Sequence, residues 1–243
     1  AAVLIAFLIL WELASGTVVD ATFISKPTEI WARLIEWIQD GTLADNTWIT
    51  LQEIIIGFFF GALAGAVVGY IMASINILFE VLDPFMLALY SIPKVALAPL
   101  FIVWFGIGIE MKILLAAISV FFLVFLNTAA GVRDVDRGLI DAVRLMGGNK
   151  WDIVRKVVLP ASMTGLLTGL KVAIPYALIG AVIGELVASN QGLGYLINSA
   201  AAQFDTAGVF ATIVVLTIVA TILNFGVTLL GRRVNRWKPL GEN

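Results

Sequence analysis

The sequence contains neither cysteine nor histidine. Their absence excludes disulfide bonds, thiolate or imidazole metal ligands, and the usual pairings of a nucleophile with a base. Charged residues are scarce, at 13% of 243 residues, and the net charge of -2 is too small to indicate a nucleic-acid partner. The phosphate-loop pattern GxxxxGK[ST] is also missing. We therefore expect no metal site, no catalytic side chains and no nucleotide hydrolysis by this chain alone.

Hydrophobic residues, in contrast, make up 60% of the chain and occur in long uncharged runs. Each of three runs is long enough for the roughly 20 residues of a membrane-spanning helix, namely 54–79, 206–231 and 113–132. Three further segments are shorter or interrupted by charge, namely 1–14, 84–105 and 163–187. The sequence therefore predicts an all-α polytopic membrane protein with about six spans, forming a single transmembrane domain over residues 1–243. Because the chain starts with Ala1 rather than Met, further residues are expected before it.

The distribution of Lys and Arg predicts the orientation in the membrane, because these residues are enriched in cytoplasmic loops. Ten of the fifteen basic residues fall in the 131–160 loop or the C-terminal tail, namely Arg133, Arg137, Arg144, Lys150, Arg155, Lys156, Arg232, Arg233, Arg236 and Lys238. With six spans, both termini are then cytoplasmic, and loops 15–46, 106–111 and 188–207 lie outside.

In the first of these outer loops, the stretch PTEIWARLIEWIQDG has apolar residues at helical spacing after Pro27 and Thr28. It predicts a short amphipathic helix in the outer membrane interface, where tryptophan is favoured. Such a helix could simply cover the outer end of the bundle, or it could dock a substrate-delivering protein.

The second span has a face without side chains, because four glycines recur at every fourth position: Gly57, Gly61, Gly65 and Gly69. Another helix is expected to pack closely against this face. The partner could be a helix of the same chain, or the face could form a subunit contact or a sliding surface.

The third span contains Pro84, Pro93 and Pro99, each of which removes a backbone donor and is expected to kink or break the helix. Broken helices at membrane depth are tolerated where they line a cavity or are buried by protein. The segment SIPKVALAP is therefore the best candidate for the substrate pathway. It includes Lys94, a charge near mid-membrane that either lines the pathway or snorkels to the interface.

Two more charged residues lie in the fifth span. Lys171 is near its cytoplasmic end and is expected to snorkel. Glu185 stands near its outer end, before the turn NQGLG, and either belongs to an outer gate or faces water.

The stretch DAVRLMGGNKWDIVRKVVLP, residues 141–160, is unusually rich in charge for this chain. Leu139, Val143 and Met146 share one face of a short helix that Gly147 and Gly148 are expected to end. Asn149 is a candidate cap for a second helix, with an Asp152 to Lys156 pair at i, i+4, and Pro160 is expected to begin the fifth span. A helix, glycine break and helix with an apolar side predicts a docking protrusion, although Gly147 could also be a simple helix stop in a solvated loop.

This loop resembles that of the permease subunits of ATP-binding-cassette importers. Their pattern is Glu-Ala-Ala, three residues, Gly, nine residues, Ile, one residue, Leu-Pro. The chain keeps this spacing with three conservative changes, in Asp141, Ala142, Val143, Gly147, Val157, Leu159 and Pro160. The resemblance extends over most of the chain and is closest to the sulfonate, taurine and nitrate type, through IPKVALAPLFIVWFGIG at 92–108, the LP and GLK of 159–171, and GELVASNQGLGYLI at 184–197.

The resemblance implies an importer-permease fold in the inner membrane and a homodimer of this subunit. Two cytoplasmic ATPase subunits would bind the ATP and Mg, and an extracytoplasmic solute-binding protein would deliver a small solute, often anionic but in some relatives an uncharged vitamin precursor. The loop would be the coupling helix, with Gly147 allowing close approach and Leu139, Val143, Met146 and Trp151 supplying apolar contact. Asp141 in place of Glu shortens one possible contact with the ATPase.

Two other classes of membrane protein compete with this interpretation. A secondary transporter or channel would be expected to show inverted repeats or an intramembrane carboxylate relay, and neither is recognisable in the sequence. A membrane enzyme would need a convergent set of catalytic side chains, which is also missing.

Overall fold

The computed structural model describes residues 2–18, 20 and 22–234, and every regular element in these ranges is a helix. The α-helices are α1 (Ala2–Ala14), α2 (Pro27–Gln39), α3 (Thr42–Ser74), α4 (Asn76–Ser91), α5 (Lys94–Phe105), α6 (Ile109–Arg133), α7 (Arg137–Leu145), α8 (Lys150–Ile153), α9 (Leu159–Val187), α10 (Leu193–Ala202) and α11 (Thr206–Val234). A π-helix, Val154–Val158, joins α8 to α9. The predicted all-α fold is confirmed.

Four helical segments are long and apolar enough to cross a membrane: α3, α6, the continuous helix Lys150–Val187, and α11 over Thr206–Leu229. The pair α4 and α5 passes the same test together and is a fifth span or a re-entrant loop. The apolar part of α1, Ile5–Ala14, is shorter than the roughly 20 residues that a crossing needs. The predicted count of six is therefore not confirmed.

The break in the third predicted span lies at a single point. α4 ends at Ser91, α5 begins at Lys94, and the two helix axes are bent by 87°. Ile92 has an extended backbone (ψ 126°), as expected for a residue that precedes a proline. Pro84 and Pro99 lie inside α4 and α5, so of the three prolines only Pro93 stands at a break between helices.

α6 is the central helix, and α3 and α9 pack along adjacent sides of it. The four glycines of α3 face α6: a Cβ at Gly57 would lie 2.6 Å from the Ala116 Cβ, and one at Gly69 would lie 2.7 Å from the Phe125 carbonyl oxygen. The close helix contact is thus made within the chain. Small residues at the contact let the two backbones approach, which is how helices pack in a membrane without a hydrophobic driving force.

An adjacent side of α6 contacts a second set of glycines on α9, at Gly165, Gly169, Gly180 and Gly184. A Cβ at Gly180 would lie 2.8 Å from the Ala116 Cα, and one at Gly184 would lie 2.9 Å from the Lys112 side chain. α6 therefore packs closely against the glycine faces of both α3 and α9. Gly165 and Gly169 are four residues apart, as are Gly180 and Gly184, and this spacing is recognisable in the sequence.

The amphipathic helix predicted in the first outer loop is α2. Pro27 occupies its first turn, and Ile30 and Leu34 are buried, whereas Trp31 and Ile38 are exposed. The Glu29 carboxylate accepts hydrogen bonds from the Ser25 hydroxyl (2.8 Å) and the Lys26 amide (3.3 Å), which lower the pKa of Glu29 below its usual value. Glu29 in the first turn of α2 thus stabilises the helix start by binding the two residues that directly precede the helix.

The structure does not describe the side chains of the basic residues in the C-terminal tail. Arg236 and Lys238 lie outside the described residues, and so do the side chains of Arg232 and Arg233.

Candidate functional site

The first candidate site is the segment α7 to α8, called the protrusion below. Three of its large apolar side chains are strongly exposed: Leu145 by 90%, Met146 by 86% and Trp151 by 69%. Leu139, Asp141 and Ala142 are exposed as well, and Asp141 pairs with Arg144 at 3.1 Å. Leu145, the most exposed of them, was missed by the sequence pattern because it lies beside the face of Leu139, Val143 and Met146.

The break between α7 and α8 is built by Gly147 and Gly148. Gly147 has φ +81°, its amide donates to the Arg144 carbonyl, and the Gly148 amide donates to the Val143 carbonyl, both at 2.9 Å. These two bonds form a Schellman motif, which favours glycine at the left-handed position. A Cβ at Gly147 would meet no atom within 4 Å in this chain, so its role within the chain is to end α7. Close approach of a partner at Gly147 stays a prediction.

α8 starts with a reciprocal cap. The Asn149 side chain accepts from the Asp152 amide (2.9 Å), and the Asp152 carboxylate accepts from the Asn149 amide (3.1 Å). Asp152 also pairs with Lys156 at 2.6 Å. The cap and the ion pair predicted from the sequence are both present.

The second helix of the protrusion does not stop at Pro160. The helix runs without interruption from Lys150 to Val187, and Pro160 lies at the start of α9, where the fifth span was predicted to begin. Pro160 lacks a backbone donor, but it lies in the first turn of α9, directly after the π-helix, where the Leu159 amide donates to the Val154 carbonyl. The wider π turn accommodates the proline without ending the helix. Leu159 and Pro160 are exposed on this helix.

The second candidate site is Lys94, which begins α5 at the 87° bend. Its ammonium donates to the Tyr90 carbonyl (2.6 Å) and lies 4.3 Å from the centre of the Tyr90 ring and 5.4 Å from that of Phe122. The charge is therefore held by the last turn of α4 and by aromatic faces, two environments that favour cations. A cavity of about 270 Å³ adjoins it, lined also by Leu89, Ile92, Leu97, Ile118, Phe121 and Phe122. Pro93 and Pro99 flank this position and are exposed.

The third candidate site is the surroundings of Glu185, which is 1% exposed and so does not face water as one of the two alternatives supposed. Its Oε1 accepts from the Thr50 hydroxyl and its Oε2 from the Gly194 amide, both at 2.6 Å. Glu53 on α3 and Lys112 on α6 are also buried, with Lys112 Nζ 3.6 Å from Glu53 Oε1. These four side chains, Thr50, Glu53, Lys112 and Glu185, form what we call the carboxylate cluster.

The carboxylate cluster fixes the segment between α9 and α10. Lys112 Nζ donates to the Ser189 hydroxyl (2.7 Å), and the Leu193 amide donates to Thr50 Oγ1 (2.8 Å). The Gly192 amide donates to the Asn46 side chain (2.7 Å). Residues 189–194 are thereby attached to α3, α6 and α9 at once.

Sequence analysis missed most of this cluster for an identifiable reason. Glu53 directly precedes the uncharged run 54–79, and Lys112 directly precedes 113–132. When charges are used to mark the ends of spans, such residues are assigned to the loops. A signal was nevertheless available, because two acidic residues and one basic residue border apolar runs that must pack together.

A polar cavity of about 670 Å³ opens beside the cluster, between α2, the start of α3 and α10. Its lining includes Trp37, Trp48, Tyr195 and the ion pair of Arg33 with Asp205 (3.2 Å). Together with Asp40 and Asp45, these residues give the cavity an aromatic and mixed-charge wall.

Comparison with known proteins adds the family context. Residues 57–236 match the family described as "Binding-protein-dependent transport system inner membrane component". The chain is 35% identical to the putative aliphatic sulfonates transport permease protein SsuC of Bacillus subtilis, over 94% of this chain and 83% of that protein. It is 33% identical to the riboflavin transport system permease protein RibX of Chloroflexus aurantiacus (90% and 81%), and 30% identical to the taurine transport system permease protein TauC of Escherichia coli (93% and 84%).

Solved structures show the same fold at lower identity. A chain of the MetNI methionine ABC transporter in an inward-facing conformation aligns with a TM-score of 0.71 at 22% identity, covering 81% of this chain and 97% of that one. A chain of an amino acid ABC transporter aligns with a TM-score of 0.65 at 18% identity, covering 88% and 99%.

Proposed function

Because the chain belongs to the family of binding-protein-dependent transport system inner membrane components and is a permease subunit of an ATP-binding-cassette importer, we propose that it passes a small organic anion, of the sulfonate or taurine type, by alternating access. Two relatives, at 35% and 30% identity, are named for aliphatic sulfonates and taurine. Permease subunits of this class translocate solute and do not hydrolyse nucleotide.

The proposed working unit is a homodimer of this chain with two cytoplasmic ATPase subunits, which bind ATP and Mg, and an extracytoplasmic solute-binding protein. The protrusion is the observation that carries this proposal. Leu145, Met146 and Trp151 present large apolar side chains to solvent on one short segment. Apolar surface that is exposed in a contiguous patch marks an interaction site, and the ATPase subunit is the proposed occupant.

The helix that continues from the protrusion suggests how movement would reach the membrane. α8, the π-helix and α9 form one helical body from Lys150 to Val187, and α9 packs along α6 through its glycines. Reversing a 99:1 preference between two pathway states requires about 5.5 kcal/mol of differential stabilisation. A continuous helix is stiff enough to transmit a displacement that requires this free energy, whereas a flexible loop would absorb the displacement.

The proposed orientation places the protrusion and both chain termini in the cytoplasm. The basic residues of 131–160 support it, because Arg133, Arg137, Arg144, Lys150 and Arg155 are exposed in the structure and are enriched on this side of membranes in general. α2, the carboxylate cluster and the 670 Å³ cavity would then lie at the outer end, where a solute-binding protein would arrive.

A second candidate substrate class is supported by a different pair of relatives. RibX is named for riboflavin, and the ThiX protein of Halalkalibacterium halodurans, 30% identical over 90% of this chain, is named for formylaminopyrimidine. An uncharged vitamin or vitamin precursor is therefore the alternative to an organic anion.

ATP-driven uptake into proteoliposomes that contain the permease, its ATPase and its binding protein distinguishes the two substrate classes. Radiolabelled taurine, an alkanesulfonate and riboflavin would each be offered, with an ATPase variant that cannot hydrolyse ATP as the control. We expect ATP-dependent uptake of a sulfonate or taurine. Uptake of riboflavin alone would replace the anion proposal, and uptake that is equal with the inactive ATPase would reject the importer assignment.

A further inference from the structure

The carboxylate cluster has an unbalanced set of charges. Glu53 is 0% exposed, Glu185 1% and Lys112 5%. Among the described residues, the salt bridge of Lys112 with Glu53 is the only one to either carboxyl group. With both glutamates ionised, the enclosed cluster would carry a net charge of -1, and burying an uncompensated charge is strongly unfavourable. One additional positive charge is needed to make the cluster neutral.

The hydrogen bonds show which glutamate lacks a partner. Both oxygens of Glu185 accept short hydrogen bonds, from Thr50 and from the Gly194 amide. Neither oxygen of Glu53 accepts any, and Lys112 Nζ, at 3.6 Å, is beyond hydrogen-bonding distance. Lys112 instead donates to Ser189. An ionised carboxylate can only accept, so an ionised Glu53 would be buried without a single donor.

A protonated Glu53 removes both difficulties. The carboxylic acid carries no charge, which leaves one negative charge on Glu185 and one positive charge on Lys112. It also gains an O–H donor, for which the carboxylate of Glu185, the other acid of the cluster, is an acceptor. We propose that Glu53 and Glu185 form a proton-binding site that holds one proton, carried by Glu53 and donated in a hydrogen bond to Glu185.

This proton supports the attachment of residues 189–194. Glu185 holds Gly194, Lys112 holds Ser189, and Thr50 holds Leu193. Loss of the proton would place two like charges side by side and draw water into the cluster. The attachment of this segment to α3, α6 and α9 therefore depends on proton binding.

Infrared spectroscopy detects the proton directly. At pH 7.5, exposed carboxyl groups are ionised, whereas a protonated buried carboxyl group keeps its carbonyl stretching band. The full-length permease in lipid nanodiscs is compared with Glu53→Gln and with the exposed control Glu36→Gln. We expect the band in the unmodified permease and in Glu36→Gln, and its loss in Glu53→Gln. A spectrum of Glu53→Gln identical to that of the unmodified permease would overturn the proposal.

A thermal melting series from pH 6 to pH 9 gives an independent test. The folded state holds a proton that the unfolded Glu53 has released at these pH values, so stability falls as pH rises, by about tenfold in the folding constant per pH unit while the proton stays bound. Gln mimics the protonated acid, so Glu53→Gln should fold and melt with a flatter pH dependence. Glu185→Gln replaces an acceptor with an amide and should melt at a lower temperature throughout.

The two variants also test the assignment of the proton. Glu53→Gln that fails to fold, or that keeps the full pH dependence, contradicts the proposal. A well-tolerated Glu185→Gln beside a damaging Glu53→Gln would place the proton on the other residue and overturn the assignment to Glu53. None of these readouts depends on the transported solute or on the ATPase, so they fail independently of the proposed function.

Discussion

The usual distribution, with apolar side chains buried and charged side chains exposed, is broken both in the interior and in the protrusion. In the interior formed by α3, α6 and α9, charged side chains are enclosed by helices: Glu53, Lys112 and Glu185. In the protrusion, large apolar side chains are in contact with solvent: Leu145, Met146 and Trp151. The interior charges are balanced once the proposed proton is bound, whereas the apolar side chains of the protrusion contact too little of the chain to be buried. Changes in the interior should therefore alter folding, and changes in the protrusion should alter assembly.

The largest effect is expected from Glu185→Leu. It leaves the Thr50 hydroxyl and the Gly194 amide without their acceptor in a buried site, which should cost about 3–5 kcal/mol of stability. The measurement is the melting temperature of the purified permease. Glu36→Leu is the matched control, because Glu36 is 60% exposed and makes a surface ion pair with Arg33, and it should change stability by less than about 0.5 kcal/mol. Similar melting of both variants would mean that the interior does not depend on the cluster.

Gly61→Ala tests the helix contact in the interior. The added Cβ would press against the Ala117 backbone of α6, so we expect a loss of about 1–3 kcal/mol. Gly226→Ala on α11 adds the same methyl group where no atom lies within 4 Å. There the better helix propensity of alanine should leave stability unchanged or raise it by up to about 1 kcal/mol. The same sign of effect in both variants would contradict the close packing of α3 on α6.

Trp151→Ala tests whether a change in the protrusion alters assembly rather than folding. Because Trp151 is 69% exposed, the melting temperature of the permease alone should hardly change. Binding to the ATPase should weaken by about 1–2 kcal/mol, roughly five- to thirtyfold in Kd, as for an aromatic residue in an interface. Trp31→Ala on α2, 66% exposed, is the control and should bind the ATPase normally. Equal binding by all three proteins would remove Trp151 from the proposed interface.

The smallest effect is expected at Lys94, a charge that is neither enclosed like the cluster nor free like the protrusion. If the solute is an anion, Lys94→Gln should lower uptake by about two- to fivefold, equivalent to less than about 1 kcal/mol, and Lys94→Arg should lower it less. Assembly and basal ATPase activity serve as controls and should stay near those of the unmodified transporter. Uptake at the unmodified rate in both variants would make Lys94 a packing residue at the bend.

Local features of the protrusion could be predicted from the sequence because they depend on neighbouring residues. Asn149 and Asp152 cap α8, and Gly147 ends α7, through bonds that span no more than five residues. The π-helix could not be predicted, since it arises where a continuous helix accommodates Pro160. A sequence pattern alone does not show whether a proline ends a helix or is absorbed by it.

The interior was predictable only where one helix carries the whole signal. The glycine face of α3 was recognised because its spacing lies on a single helix, although its partner α6 was not identified. The carboxylate cluster joins residues that are up to 135 positions apart, as in the bond from Thr50 to Glu185. From the sequence, each charged residue of the cluster could be judged only by its immediate neighbours, which are apolar runs. Each therefore resembled a residue at the edge of a loop.

Thiol labelling of two single-cysteine variants tests the central claim, that the protrusion is a cytoplasmic surface covered by the ATPase. The chain has no natural cysteine, so Met146→Cys and Gln191→Cys each give one labelling site. With an impermeant reagent, Met146→Cys should react only from the cytoplasmic side and become protected when the ATPase binds, whereas Gln191→Cys should react only from outside, with or without the ATPase. Labelling of both residues from one side, or of Met146→Cys at the same rate with the ATPase bound, would contradict the account.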